Sequence, residues 1–230
     1  MSFLKKVFGS RKKIPIEVLE KQAREESGLV RDQVIESLLR AVTDPDTVYA
    51  VEAMRALIRL KEFRAISQVQ SVSSSVADVI VETLRNLSNI GWSSALSEAL
   101  ILVALQNNRL PQMLDLLQEN HHKHPDSIAF YEQLSELVIR WFALRGGNLN
   151  DLIRALRYSY DEISVSTYTT GYSEGENLLK KLVESFPETE ISNDDYEALT
   201  KKRFFDKRFL RTTNLDNIRK ILLTRVRPKG

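Results

Sequence analysis

The chain has 230 residues, of which 43% are hydrophobic and 28% are charged, so it can bury a core and is not an intrinsically disordered chain. Eight glycines and six prolines are few for this length, which disfavours a loop-rich sandwich and favours helices. Cysteine is absent, which excludes disulfide scaffolds, iron–sulfur clusters and thiol catalysis. These features predict a mostly helical protein of a reducing compartment, and we expect it to be cytoplasmic.

The net charge of +2 conceals two strongly basic ends. Residues 1–13 contain five basic residues and no acid, and residues 201–230 contain eleven basic residues against two acids. The remaining residues, 14–200, therefore carry a charge of −12. Basic ends on an acidic body indicate either an anionic external partner or a contact within the molecule, in which the ends lie on the body.

The N-terminal segment, residues 1–15, has an amphipathic pattern. Apolar residues recur at helical spacing beside Lys5 and Lys6; they are Phe3, Leu4, Val7 and Phe8. This pattern predicts a segment that lies on a membrane surface, and the alternative is that Phe3 and Phe8 pack on the body. No signal-peptide core and no apolar run of about 18 residues is present, so we expect neither export by that route nor a membrane span.

From Ile16 onward, apolar residues recur at intervals of three and four, and turn signals separate the segments. The predicted helices cover about residues 15–27, 30–42, 47–60, 63–69, 74–90, 92–105, 110–120, 126–145 and 149–163. Asp44-Pro45-Asp46 caps the third of them, and Gly146-Gly147 ends the eighth. The helix over 92–105 is apolar on nearly all sides, which predicts the most buried element of the core.

Two stretches resemble helical-repeat families. Asp44-Pro45-Asp46, followed by Val48, Val51, Met54, Leu57 and Leu60, resembles the first helix of HEAT-type repeats. Later turns, at residues 105–109 and 144–148, each lie between two amphipathic helices and are similar to those of tetratricopeptide pairs. The resemblance covers roughly residues 30–160 and implies an all-α fold of antiparallel helix pairs stacked as an α-solenoid. An ordinary helical bundle is the alternative.

A hydroxyl-rich segment with two glycines, residues 164–175, interrupts the helical pattern. It divides the chain into four predicted regions: a basic amphipathic segment (1–15), a helical-repeat-like domain (16–163), a Ser/Thr/Tyr-rich loop (164–175) and a basic helical C-terminal segment (176–230). A weak strand pattern covers residues 163–172. Within the C-terminal segment, helices are predicted over about residues 176–186, 193–199 and 215–226.

The densest local signal is a run of basic residues interleaved with aromatic rings between Lys201 and Arg211. Such a run can bind single-stranded nucleic acid, since cations neutralise phosphates while rings stack on bases. It can also bind an anionic lipid surface, or it can be the buried face of a helix. The candidate residues for binding an anionic partner, at both ends of the chain, are Lys5, Lys6, Lys12, Lys13, Lys201, Lys202, Arg203, Phe204, Lys207, Arg208 and Arg211.

No motif points to an enzyme. Phosphate loops, dinucleotide fingerprints and nucleophile elbows are absent, and His121, His122 and His124 lack the spacing of a metal site. We therefore predict no catalytic residues, cofactor or metal, and a non-enzymatic adaptor that binds a protein partner, either free in the cytoplasm or peripheral to an anionic membrane. Nucleic-acid binding by the basic and aromatic C-terminal segment is the alternative function. A carboxylate site assembled from distant helices and a homo-oligomer also stay open.

Overall fold

The computed structural model describes residues 13–87, 94–122, 128–158, 180–200 and 220–230. These residues are mostly helical, as predicted. The elements are α1 (Ile16–Glu25), α2 (Gly28–Ala41), α3 (Thr47–Arg59), α4 (Phe63–Ile66), α5 (Ser74–Leu87), α6 (Ser94–Gln106), α7 (Leu110–His122), α8 (Ile128–Arg145), α9 (Leu149–Arg157), β1 (Thr189–Ile191), α10 (Asn193–Thr200) and β2 (Val226–Pro228). Residues 180–185 and 220–223 are also helical. No helix in these ranges is long and apolar enough to cross a membrane.

The chain forms two compact units. Unit 1 comprises Met1–Asn86 and Ala95–Asn107, and unit 2 comprises Leu87–Ser94 and Asn108–Gly230. The predicted division at the Ser/Thr/Tyr-rich loop stays a prediction, because residues 164–175 lie outside the described ranges.

In unit 1, helices α1, α2 and α3 each pack against the other two. We call them the three-helix element of unit 1. Their apolar faces supply fully buried side chains such as Leu19, Leu38 and Leu57. The turn before α3 behaves as the sequence predicts, because the Asp46 carboxylate accepts the backbone N–H of Tyr49 at 3.3 Å and so caps the helix.

Helix α6 supplies the most uniformly buried surface of unit 1. Leu100, Ile101 and Ala104 are completely buried, and so is the polar Ser97. This confirms the prediction for residues 92–105 over the described part. Asn107 ends the helix: its side-chain amide donates to the Val103 carbonyl at 2.8 Å, and its oxygen accepts the N–H of Val72 at 2.9 Å.

In unit 2, helices α7, α8 and α9 also pack against one another in all three pairs, and we call them the three-helix element of unit 2. The two glycines after α8 are needed for different reasons. Gly146 has a φ of +71°, which favours glycine. At Gly147 a β-carbon would lie 2.6 Å from the ring of Phe142, and that ring is fully buried.

Unit 2 also contains a parallel pair of short strands, which the sequence analysis missed. Thr189 lies opposite Val226, and Ile191 lies opposite Pro228. The prediction of a helix through Val226 is wrong at its end, since the helical residues 220–223 give way to β2. Three residues are too few to show strand alternation in a sequence. The strand pattern over residues 163–172 lies outside the described residues.

Candidate interaction surfaces

One of the eleven predicted binding residues, Lys13, lies within the described residues. The other ten stay predictions, because residues 1–12 and 201–219 lie outside the described ranges. They are Lys5, Lys6, Lys12, Lys201, Lys202, Arg203, Phe204, Lys207, Arg208 and Arg211. The structure shows the contacts of Lys13 and, in β2, those of Arg227.

Lys13 is held by the turn that precedes α3. Its ammonium group donates to Asp44 Oδ1 at 2.6 Å and lies 3.5 Å from Asp46 Oδ2, and its nitrogen is 5.0 Å from the centroid of the Tyr49 ring. The Tyr49 hydroxyl donates to the carbonyl of Ile14 at 2.7 Å. We call these five residues the N-terminal clasp, because they fix the chain just before α1 onto the start of α3.

The contacts within the N-terminal clasp favour the charged forms of Lys13 and Asp44. The hydrogen bond to Asp44 raises the pKa of Lys13 above its ordinary value, and the same bond lowers the pKa of Asp44. Burial raises the pKa of the Tyr49 hydroxyl. Lys13 and Asp44 are therefore an ion pair, and Tyr49 is a neutral donor, throughout the neutral range.

The basic residue of β2, Arg227, also pairs with an acidic side chain. Arg227 Nη2 lies 3.0 Å from Glu190 Oε1, across the register of the two strands. Backbone hydrogen bonds flank this pair: Thr189 N–H donates to the Arg225 carbonyl, and Lys229 N–H donates to the Ile191 carbonyl. Lys13 and Arg227 thus each pair with an acid of their own unit; whether the basic ends bind an external anionic partner stays a prediction.

Glu20 joins the first and third helices of unit 1. Arg59 donates to both of its carboxylate oxygens, with Nε 3.0 Å from Oε1 and Nη2 2.6 Å from Oε2, and Arg24 Nη2 donates to Oε1 at 2.8 Å. The Glu20 side chain is 13% exposed. The hydrogen bonds from Arg59, and then those from Arg24, lower the pKa of Glu20.

An equivalent contact joins the first and third helices of unit 2. Arg154 Nη2 donates to Asp115 Oδ1 at 2.7 Å and to Gln118 Oε1 at 2.8 Å. In each unit the bridged acid and arginine are 39 residues apart. We call these contacts the interhelix bridges of unit 1 and unit 2.

The residues around the two bridges also correspond. In each unit, buried leucines stand immediately before the acid and two residues before the arginine: Leu19 and Leu57 in unit 1, and Leu114 and Leu152 in unit 2. This relation was not predicted, although the leucine–acid and leucine–x–arginine spacing recurs in the sequence.

His121 takes part in a hydrogen-bond network of unit 2. Its Nδ1 lies 3.1 Å from the hydroxyl of Tyr131, and that hydroxyl donates to the backbone carbonyl of Tyr158. Because the tyrosine proton is used on this carbonyl, the contact is a hydrogen bond in the tautomer of His121 that carries its proton on Nδ1. The network ties the ends of α7 and α9 to α8. Among the described residues, no three His, Asp or Glu side chains are placed to hold a metal.

Several apolar side chains face solvent. Leu29 is 73% exposed, Val48 is 74% exposed and Leu144 is 64% exposed. Val48 is a correction, since the sequence pattern places it on the apolar face of α3. It lies in the first turn of that helix, beyond the buried stretch that begins at Ala50.

In comparisons with protein families, curated proteins and solved structures, no match to this chain was found.

Proposed function

We propose that this protein is a non-enzymatic adaptor, in which stacked antiparallel helix pairs form an α-solenoid that binds a protein partner. The observation that supports this proposal is the recurrence of the interhelix bridge. Two three-helix elements place an acid on the first helix and an arginine on the third, 39 residues later. This spacing lies in the range of helix-pair repeats.

Repetition of this kind favours binding over catalysis. Arrays of helix pairs present extended faces made of many similar helices, and these faces suit long protein ligands. The bridges hold the first and third helices of each element together, and the middle helices, α2 and α8, carry exposed leucines that a partner can contact. Exposed leucines such as Leu29 and Leu144 are the natural points of contact, since covering an apolar side chain that faces solvent is favourable.

Site-specific photo-crosslinking in the cells that express the protein tests this proposal. A benzoylphenylalanine at Leu29 is compared with one at Arg40, an exposed position of the same helix. We expect a defined protein to crosslink from Leu29 more strongly than from Arg40, and Leu29→Glu to reduce its recovery at least tenfold while Arg40→Glu does not. The same comparison in unit 2 uses Leu144 and Arg140, both exposed on α8.

Equal crosslinking from the leucine and arginine positions of both helices would contradict the proposal. Crosslinks only to a second copy of this chain would replace the adaptor with a homo-oligomer. If the protein instead binds nucleic acid, we expect crosslinks to RNA or DNA that map to residues 201–211.

A further inference from the structure

In the N-terminal clasp, Lys13 is bound by carboxylates at a site that an external anion can reach. Lys13 is held by two carboxylates and an aromatic ring, and its side chain remains 48% exposed. The carboxylate of Asp46 is 52% exposed. The ion pair is therefore open to solvent on one side, and an external anion can approach Lys13 without any rearrangement of a core.

We propose that the N-terminal clasp is an electrostatic latch, in which an anionic lipid surface competes with Asp44 and Asp46 for Lys13. This inference goes beyond the proposed adaptor function and does not depend on it. When the protein lies on such a surface, Lys13 exchanges its two carboxylates for lipid phosphates. The bond from Tyr49 to the Ile14 carbonyl involves no charge, so it keeps the chain attached to α3.

The magnitudes of the two interactions make the competition effective. An exposed ion pair changes an equilibrium constant by up to about fivefold, and one basic residue near an anionic membrane contributes a similar factor. Neither state of Lys13 dominates by itself, so removing the charge of Asp44 and Asp46 should shift the balance measurably toward the lipid. Residues 1–12 contain Lys5, Lys6, Arg11 and Lys12 beside the apolar Phe3 and Phe8. This mixture favours a lipid surface over a nucleic acid.

Co-sedimentation of the full chain with phosphatidylserine-containing vesicles tests the latch. The variant Asp44→Asn/Asp46→Asn removes the carboxylate charges, while asparagine oxygens can still accept the N–H groups of Asp46 and Tyr49 that the aspartates accept. The matched control is Glu36→Gln/Glu52→Gln, which makes the same change in net charge at exposed carboxylates paired with Arg40 and Arg55.

We expect the Asp44/Asp46 variant to bind vesicles about two- to fivefold more tightly than the Glu36/Glu52 control. In a Lys13→Gln background the difference between the two variants should vanish, because the ammonium group for which the carboxylates and the lipid compete is then absent. Circular dichroism confirms that each variant is folded, and the single variant Asp44→Asn serves if the double variant is not.

Equal binding by the two double variants would overturn the latch, and so would a difference that survives Lys13→Gln. A parallel titration with single-stranded RNA identifies the surface. If the Asp44/Asp46 variant binds RNA more tightly than the Glu36/Glu52 control but does not bind vesicles more tightly, the assignment to lipid is wrong. The vesicle assay contains no protein partner, so its failure would leave the adaptor proposal unaffected.

Discussion

The interhelix bridges of units 1 and 2 connect corresponding helices over the same sequence separation, but their carboxylates differ in burial. Glu20 is 13% exposed and accepts hydrogen bonds from two arginines. Asp115 is 45% exposed and receives one Nη2 group of Arg154, which it shares with Gln118. The topology of the contact therefore recurs, and we expect the bridge of unit 1 to be the stronger, because a charge pair is worth more where solvent screens it less.

Two kinds of contact stabilise each three-helix element: buried leucines and an interhelix bridge. The buried leucines around both bridges are alike, with exposures of 0–1%, so apolar burial should contribute similar amounts in the two units. The bridges should contribute unequally. Local measurements are needed to see this, since a chain with two units need not unfold in one step. Hydrogen exchange resolved by peptide reports each element separately.

The largest expected effects come from the leucines that precede the bridging arginines. Leu57→Ala and Leu152→Ala each remove a fully buried side chain and should destabilise the surrounding element by about 2–5 kcal/mol. Hydrogen exchange should accelerate in α1–α3 for the first variant and in α7–α9 for the second. Leu29→Ala and Leu144→Ala, at exposed positions, are the controls and should change stability by less than about 0.5 kcal/mol. A small effect at Leu57 or Leu152 would show that the element tolerates the cavity.

The bridges themselves provide the sharpest test of the comparison. Glu20→Gln should destabilise unit 1 by about 1–2 kcal/mol, since it weakens charged hydrogen bonds to a mostly buried acceptor. Asp115→Asn should cost about 0–1 kcal/mol, the range of exposed ion pairs. Exchange rates of peptides from α1 and α3, and from α7 and α9, measure the two effects. Equal losses in the two units would mean that burial of the carboxylate does not set the value of the bridge.

A smaller effect concerns the pH dependence of unit 1. Arg59 and Arg24 hold the pKa of Glu20 below its ordinary value of 4.5, so the folded state binds this proton less tightly than the unfolded state. The stabilisation is complete above pH 4.5 and is lost as the pH falls through the lower pKa of the folded state. Between pH 6 and pH 3, the free energy of unfolding of unit 1 should depend less on pH in Glu20→Gln than in the wild type. The slope due to Asp44, whose pKa is also lowered, should remain. Identical profiles for the wild type and Glu20→Gln would contradict this assignment.

Much of the helical fold is readable from the sequence, because helix periodicity and caps are local. Asp46 caps α3 where the turn signal predicts. The helix predicted from residue 193 begins there as α10, and Ser192 Oγ caps it by accepting the N–H of Asp195 at 3.2 Å. The burial of α6 follows from its apolar residues on every side. These features depend on neighbours within one turn, so they need no knowledge of tertiary structure.

The features that depend on distant neighbours could not be predicted in this way. Val48 follows the apolar pattern of α3 but is exposed, because coverage of the first turn depends on which element lies beside it. The strands β1 and β2 are defined by each other across a gap of more than thirty residues. Lys13 is a strong candidate for external binding by charge, yet only the fold brings Asp44 and Asp46 to it.

The pairing of β1 with β2 affects the order in which the molecule can be completed on the ribosome. All residues of unit 1 have been synthesised once Asn107 is added, whereas β1 must wait for Val226–Pro228. At translation rates of 5–20 residues per second, roughly ten seconds separate these events. For the later part of that interval, between the synthesis of Ile191 and that of Val226, the backbone of β1 lacks its partner strand. All residues of unit 1 are therefore available for folding before the strand pair of unit 2 can form.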